Sequence, residues 1–134
     1  MKPNPVVHFE LPADNRERMR AFYEKTFGWQ TQQLGPEMGD YITVTTTETD
    51  ENHMVKTPGT INGGFYQRDM AAPEAQHPSI VISVDNLEES IERVKANGGT
   101  IQGEPMPIPG VGKFAAFTDT EGNRLSILQP AEGM

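Results

Sequence analysis

The feature that most constrains this chain is an internal repeat with a spacing of 71 residues. The segment Asp14-Asn15-Arg16-Glu17 recurs as Asp85-Asn86-Leu87-Glu88, and the same offset carries Gly28 onto Gly99. Each copy follows a strand-like run and precedes a helical pattern. Similar segments at a fixed spacing indicate a duplicated supersecondary unit whose copies need each other to bury their apolar faces. We therefore expect two similar halves.

Each half is predicted to contain a strand, a helix and three further strands. Asp14 is the predicted N-cap of the first helix and Gly28 its left-handed end, and Asp85 and Gly98-Gly99 hold these places in the second half. Four apolar residues at helical spacing predict one buried stripe on the first helix: Met19, Phe22, Tyr23 and Phe27. The predicted strands cover residues 6–11, 29–34, 41–47, 65–67, 80–84, 100–102, 113–118 and 124–129.

The composition is typical of one acidic globular domain. The 134 residues include 11 basic and 19 acidic side chains, a net charge of 11 − 19 = −8, which disfavours nucleic acid as a partner because phosphate backbones are repelled. There is no Cys, so disulfides and thiolate metal sites are excluded. Apolar runs stay well short of the roughly 18 residues of a membrane span, and the first residues lack a signal-peptide core. We expect a cytoplasmic protein with no membrane partner.

Several short motifs occur in order along both halves. The first half contains Val7-His8-Phe9-Glu10-Leu11-Pro12-Ala13-Asp14 and Phe27-Gly28-Trp29. The second contains Val84-Asp85-Asn86-Leu87 and Phe117-Thr118-Asp119-Thr120-Glu121-Gly122-Asn123-Arg124-Leu125. Over residues 5–130 the chain resembles the vicinal oxygen chelate superfamily of glyoxalases, bleomycin-resistance proteins and extradiol dioxygenases. The resemblance implies an α+β fold in which two βαβββ modules form a curved mixed sheet that encloses a cup.

The resemblance also implies one glyoxalase-like domain overall. Residues 1–68 form the first module, residues 69–78 the linker, and residues 79–134 the second module. Residues 47–60 are predicted to be a long polar loop, and the sequence leaves open whether this loop acts as a lid. It also leaves open whether the modules pair within one chain or across a dimer. We expect a homodimer.

Family members that use a metal are expected to place ligands in the first and last strands of each module. His8 lies at the first of these four places, and the 71-residue offset puts Ser79 at the equivalent place in the second module. The last strands offer Ser126 and a position near Gly64. Only His8 is a good ligand, whereas a stable zinc site generally needs about three or four protein donors. The sequence therefore predicts no metal centre, with a divalent ion (Zn, Ni, Mn or Fe) as the alternative.

His8 and Glu10 are the candidate catalytic residues. They are two residues apart in a predicted strand, so their side chains share one face. They could form a base with an orienting carboxylate, or with His77 the start of a relocated metal site. The alternative interpretation is a structural histidine that is hydrogen-bonded in a partly buried strand.

Aromatic and polar residues on the strands are the candidate ligand contacts. Apolar clefts with a few polar groups bind small organic molecules, and aromatic side chains stack on planar ones. The predicted ligand-binding residues are His8, Glu10, Tyr41, Phe65, Phe114, Ser79 and Ser126. Five of them are expected to face the interior of the cup: His8, Glu10, Tyr41, Phe65 and Phe114.

Two functions remain open from the sequence, and it does not decide whether the protein is an enzyme. The first is a protein that resembles the bleomycin-resistance proteins and binds a small organic molecule in its cup without chemistry. The second is a metal-dependent lyase or isomerase of the glyoxalase type, in which the ion would polarise a substrate carbonyl. Only His8, of the four family positions, is a good metal ligand, and this favours the first function.

Overall fold

The computed structural model describes residues 2–72 and 76–131. Part of the predicted linker, residues 73–75, lies outside the described residues, and so do the last residues of the predicted second module, 132–134. All statements about contacts below concern the described part of the chain.

Contacts divide the chain into two compact units. The first unit is His8–Pro78, and the second unit joins Met1–Val7 to Ser79–Met134. The elements follow the predicted order twice: a strand, a helix and three strands. Both parallel and antiparallel pairs occur among the strands. The predicted α+β class with two βαβββ modules is confirmed.

In the first half, one helix and four strands precede the second repeat. The strands are ordered β2-β3-β4-β1, where β1 runs parallel to β4 and the other neighbours are antiparallel. A single turn of 3-10 helix, Pro36–Met38, connects β2 to β3. The elements are β1 (Val6–Ala13), α1 (Arg16–Phe27), β2 (Gln30–Gln33), β3 (Ile42–Thr45) and β4 (Asn62–Gln67).

The second half repeats this connectivity. Its strands are ordered β5-β8-β7-β6, with β5 parallel to β8 and the other neighbours antiparallel. The elements are β5 (Ser79–Ser83), α2 (Leu87–Ala96), β6 (Thr100–Ile108), β7 (Gly112–Thr118) and β8 (Arg124–Pro130). Among the described residues, no helix is long and apolar enough to cross a lipid bilayer.

Strand register supports the duplication that the sequence predicts. Glu10 lies beside Gly64 in the parallel pair of the first half, and Val81 lies beside Ser126 in that of the second. The offset from Glu10 to Val81 is 81 − 10 = 71, the spacing of the repeat. Gly64 and Ser126 are therefore structurally equivalent positions.

Both helices begin one residue later than predicted. Asn15 is the N-cap of α1 and accepts a hydrogen bond from the amide of Arg18, and Asn86 caps α2 in the same way. The predicted caps Asp14 and Asp85 are wrong, because Asp and Asn are equally good capping residues and stand next to each other in both copies. The left-handed end of α1 at Gly28, with a φ of 72°, is confirmed.

The core of the first unit lies between α1 and one face of its strands. Ile42, Val44 and Phe65 are almost completely buried, and five partly buried residues pack against them: Phe9, Leu11, Met19, Tyr23 and Trp29. In the second unit, α2 contributes Leu87 and Ile91 to the corresponding core, which Val84, Ala115, Phe117 and Ile127 complete.

The predicted buried stripe of α1 is wrong in two of its four members. Met19 and Tyr23 are four residues apart and face the core, but Phe22 is 55% exposed and Phe27 is 60% exposed. At 100° per residue, Phe22 and Phe27 point to either side of the Met19–Tyr23 line. They contact the edge of the core through other rings, with Phe22 5.0 Å from Tyr23 between ring centroids.

We expect the substitution Phe65→Ala to lower the free energy of unfolding by about 3–5 kcal/mol, since it removes a fully buried aromatic ring from a closed core. The matched substitution Phe22→Ala should cost about 1 kcal/mol or less, because that ring is mostly in solvent. Urea unfolding followed by circular dichroism measures both. Equal losses for the two variants would contradict the assignment of Phe65 to the core.

Candidate functional site

Strand alternation gives the strands of the first unit one apolar and one polar face. Phe9 and Leu11 on β1 and Phe65 on β4 point toward α1. Their neighbours His8 and Glu10 therefore point the other way, as do Gly64 and Tyr66. We call this second face the site face, and it carries His8, Glu10, Tyr41, Gly64 and Tyr66.

Three side chains on the site face form a hydrogen-bonded chain. The Nε2 atom of His8 lies 3.0 Å from the hydroxyl of Tyr41, and this hydroxyl donates to Oε2 of Glu10 at 2.9 Å. All three residues are half-buried. His8 and Glu10 come from alternate positions of β1, and Tyr41 is the residue that directly precedes β3. The arrangement brings together three of the residues that the sequence predicted for the site.

Tyr41 takes up the space that a side chain at position 64 would need. A Cβ atom built on Gly64 would overlap the Tyr41 hydroxyl and ring. Gly64 lies beside Glu10 in the parallel pair, so the hydroxyl can cross the strand and meet the carboxylate. A glycine inside a strand often marks such a close approach. Gly64 is thus needed for the hydrogen-bonded chain to form.

Burial shifts the protonation equilibria of this group. The pKa of Glu10 is raised by burial, although the hydrogen bond from Tyr41 acts in the opposite direction. Burial lowers the pKa of His8, which favours the neutral ring. Burial and then the charge of Glu10 raise the pKa of Tyr41, so its phenol keeps its proton. The site face can therefore bind polar groups through a neutral histidine, a neutral phenol and one carboxyl group.

Of the other four predicted ligand contacts, Phe65 lies in the core and three belong to the second unit. Phe65 was expected to face the cup, but it is fully buried in the core beneath α1, because its neighbour Gly64 occupies the site face. Phe114 and Ser126 belong to the second unit, on the face of its strands that points away from α2, since Ala115 and Ile127 beside them pack in the α2 core. Ser79 also points away from α2, because it lies three residues before Ile82, which packs against the α2 core.

The residues present do not fit the metal centre that the resemblance implies. Among residues 2–72 and 76–131, no group of three His, Cys, Asp or Glu side chains could hold a metal ion. The cluster of His8, Glu10 and His77 does not form there, and His77 is exposed. At the fourth family position, Gly64 has no side chain and its place is taken by Tyr41.

Sequence reasoning placed a family ligand position near Gly64 but missed Tyr66 as a member of the site face. Tyr66 follows Gly64 by two residues, lies near Tyr41 and contributes to raising the pKa of the Tyr41 phenol. Strand alternation in the sequence could have identified Tyr66. Adjacent residues in a strand point to opposite faces, so a site at Gly64 includes Tyr66 and excludes Phe65.

The chain resembles proteins of known sequence along most of its length. The model of the Glyoxalase/Bleomycin resistance protein/Dioxygenase superfamily matches residues 6–127. A glyoxylase-like domain-containing protein of Didymella fabae is 33% identical over 125 residues, which cover 91% of each chain. Lactoylglutathione lyase of Salmonella typhimurium is 27% identical over 92% of this chain and 91% of that one. In contrast, the chain spans 44% of a Mycobacterium bovis relative and 46% of an anthracycline biosynthesis protein of Streptomyces peucetius.

Solved structures share the fold at low sequence identity. Methylmalonyl-CoA epimerase from Mycobacterium tuberculosis has a TM-score of 0.66 and 12% identity, with 94% of this chain and 87% of that one covered. A hypothetical protein from Bacillus halodurans C-125 has a TM-score of 0.68 and 16% identity, covering 98% and 97%. At such identities the likeness concerns the fold alone.

A double-mutant cycle tests whether Tyr41 fills the place of a side chain at position 64. Gly64→Ala should lower the free energy of unfolding by about 1–3 kcal/mol, because the new methyl group overlaps Tyr41. In a Tyr41→Ala background the same substitution should cost close to nothing, since the space is vacant. Chemical denaturation of the four proteins measures this coupling. An equal cost in both backgrounds would rule the overlap out.

The carboxyl group of Glu10 should titrate above the ordinary glutamate pKa of 4.5, because burial disfavours its charged form. Tyr41→Phe should raise this pKa further, as it removes the hydroxyl that stabilises the carboxylate. In the native protein a raised pKa means that the folded state holds the proton more tightly than the unfolded state. The contribution of Glu10 to stability therefore decreases as the pH rises from 4.5 through the folded pKa. Carbon-detected NMR of the Glu10 carboxyl gives the pKa, and a value below 4.5 would be incompatible with this environment.

Proposed function

This chain belongs to the Glyoxalase/Bleomycin resistance protein/Dioxygenase superfamily, and we propose that it binds a small organic molecule on the site face without a metal ion. The polar contacts are His8, Glu10 and Tyr41, and Tyr66 provides an aromatic ring beside them. Phe114, Ser79 and Ser126 of the second unit stay sequence-based predictions. In this role the protein sequesters or senses its ligand and performs no reaction.

The observation that carries this proposal is the hydrogen bond from Tyr41 to Glu10 across Gly64. In a metal-dependent relative this place would hold a ligand side chain, whereas here a phenol fills it and engages both His8 and Glu10. A carboxylate that accepts from Tyr41 has one oxygen fewer for a cation. The group is thus arranged for hydrogen bonding to an organic molecule.

The second candidate is a divalent-metal-dependent lyase or isomerase of the glyoxalase type. Two observations favour it: His8 occupies a family ligand position, and the relative from Salmonella typhimurium is named lactoylglutathione lyase. Against it, the described residues offer no third ligand near His8 and Glu10. We therefore place it second.

Three further features stay predictions. The chain is expected to pair as a homodimer and to act in the cytoplasm. The loop between β3 and β4 has one internal bridge, between Thr49 and Val55, and its role as a lid is also a prediction.

The metal content of the protein decides between the two functions. Protein that is purified without chelator should contain well under one equivalent of Zn, Ni, Mn or Fe when it is analysed by plasma mass spectrometry, since about three protein donors are needed for stable binding. Near-stoichiometric metal that His8→Ala removes would reverse our ranking. In that case, conversion of the methylglyoxal–glutathione hemithioacetal becomes the activity to assay.

A binding screen on the chelator-treated protein completes this test. The probes are bleomycin, an anthracycline, S-lactoylglutathione and methylmalonyl-CoA, measured by titration calorimetry. At least one should bind, and Tyr41→Phe should weaken it by about tenfold, which corresponds to the loss of one hydrogen-bonding group. Tyr23→Phe is the matched control because Tyr23 lies in the core under α1. Ligand binding that both variants leave unchanged would place the site elsewhere.

A further inference from the structure

Proton counting fixes the direction of the hydrogen bonds on the site face. The Tyr41 hydroxyl has one proton, and it donates this proton to Oε2 of Glu10. The same hydroxyl oxygen lies 3.0 Å from Nε2 of His8, so the proton in that contact must come from the histidine. His8 therefore has its proton on Nε2. Because burial favours the neutral ring, Nδ1 has a free lone pair.

Two atoms of this group are left to contact a ligand, and both are acceptors. Within residues 2–72 and 76–131, Nδ1 of His8 and Oε1 of Glu10 have no hydrogen-bond partner. No side-chain nitrogen or oxygen in that part of the chain is both fully enclosed and without a partner, so these two atoms are open to the surface. An ionised carboxylate accepts hydrogen bonds and cannot donate them. A ligand must bring the donors itself.

In the described part of the first unit, residues 8–72 and 76–78, no basic side chain forms an ion pair with Glu10. Its pKa is raised by burial, and the only opposing influence is the Tyr41 hydroxyl. Three arginines are engaged elsewhere: Arg16 with the carbonyl of Asp40, Arg20 with Glu17 and Thr31, and Arg68 with Asp14. The negative charge on the site face is thus left for a ligand to neutralise.

We infer that the site face selects organic cations that donate hydrogen bonds, such as a protonated amine attached to a ring. The ammonium group donates to Oε1 of Glu10 and a second donor meets Nδ1 of His8, while the ring lies beside Tyr41 and Tyr66. Anionic ligands with carboxylate or phosphate groups are disfavoured because they meet a carboxylate and a second acceptor. The net charge of −8 acts in the same direction, since it attracts cations to the protein. This inference rests on the proposed function and names the chemical class of its ligand.

Three fragments with the same ring separate charge from shape. The probes are 2-phenylethylammonium, 2-phenylethanol and 3-phenylpropionate, each titrated into the chelator-treated, 15N-labelled protein. Amide shifts at residues 8–10 and 62–66 report binding at the site face. The cation should bind about tenfold or more tightly than the anion, because a charge-assisted hydrogen bond replaces a repulsion. Equal or tighter binding of the anion, or no binding of the cation, would overturn the inference.

The variant Glu10→Gln should abolish most of the preference for the cation over the alcohol. Glu17→Gln is the matched control, since it changes the net charge equally but lies on α1, paired with Arg20. It should leave the preference intact. A preference for the cation that survives in Glu10→Gln, in a protein with a native amide spectrum, would show that Glu10 is not the recognition group.

The tautomer of His8 provides a test on the unaltered protein. Long-range 1H–15N correlation of the imidazole ring should show a single Nε2–H form for His8, with exposed His77 as the internal reference. An Nδ1–H form would overturn the inference, because the Nδ1 atom that faces the ligand would then be a donor.

If an anionic compound of the larger screen binds in a Tyr41-dependent manner, the proposed function stands and the preference for cations fails. The two proposals are therefore distinguishable.

Discussion

The site depends on the alternation of side chains along β1 and β4. Because successive residues point to opposite faces, the run His8, Phe9, Glu10, Leu11 gives two apolar side chains to the core and two polar ones to the other face. The apolar face packs on Met19 and Tyr23 of α1, which fixes the strands. The polar face is then free to hold a functional group at no cost to the core. Residues 9 and 11 of β1 therefore pack in the core, while residues 8 and 10 of the same strand form the site face.

The close fit between Tyr41 and Gly64 determines what this face can bind. A phenol that occupies the place of a missing side chain connects His8 to Glu10 through Nε2 of the first and Oε2 of the second. The hydroxyl thereby turns two potential metal ligands into a fixed pair of acceptors. The fold of a superfamily that often works with a metal is retained, while the described residues of this face offer two acceptors and no third metal ligand. Positions 41 and 64 are coupled, because a side chain at position 64 cannot be added without displacing Tyr41.

Much of the fold could be predicted from the sequence, since the repeat and the strand and helix patterns are local. The order of the elements, the end of α1 at Gly28 and the resemblance to the family were all readable. The N-caps were each misplaced by one residue, as Asp14-Asn15 and Asp85-Asn86 present two suitable caps in a row. Phe65 was assigned to the cup on its aromatic character, although the same reasoning placed its neighbour Gly64 there. The contact of Tyr41 with His8 and Glu10 joins residues more than thirty positions apart, so no local pattern contains it.

The stacking of Tyr23 on Trp29 has a practical consequence for following this molecule in solution. Trp29 is the single tryptophan of the chain, and its ring lies parallel to that of Tyr23 at 4.6 Å and 8°. It packs against the core of the first unit. Its fluorescence therefore reports on the packing of the unit that carries His8, Glu10 and Tyr41. Loss of the packing that supports the site face is therefore visible in the emission of one native residue, without an added label.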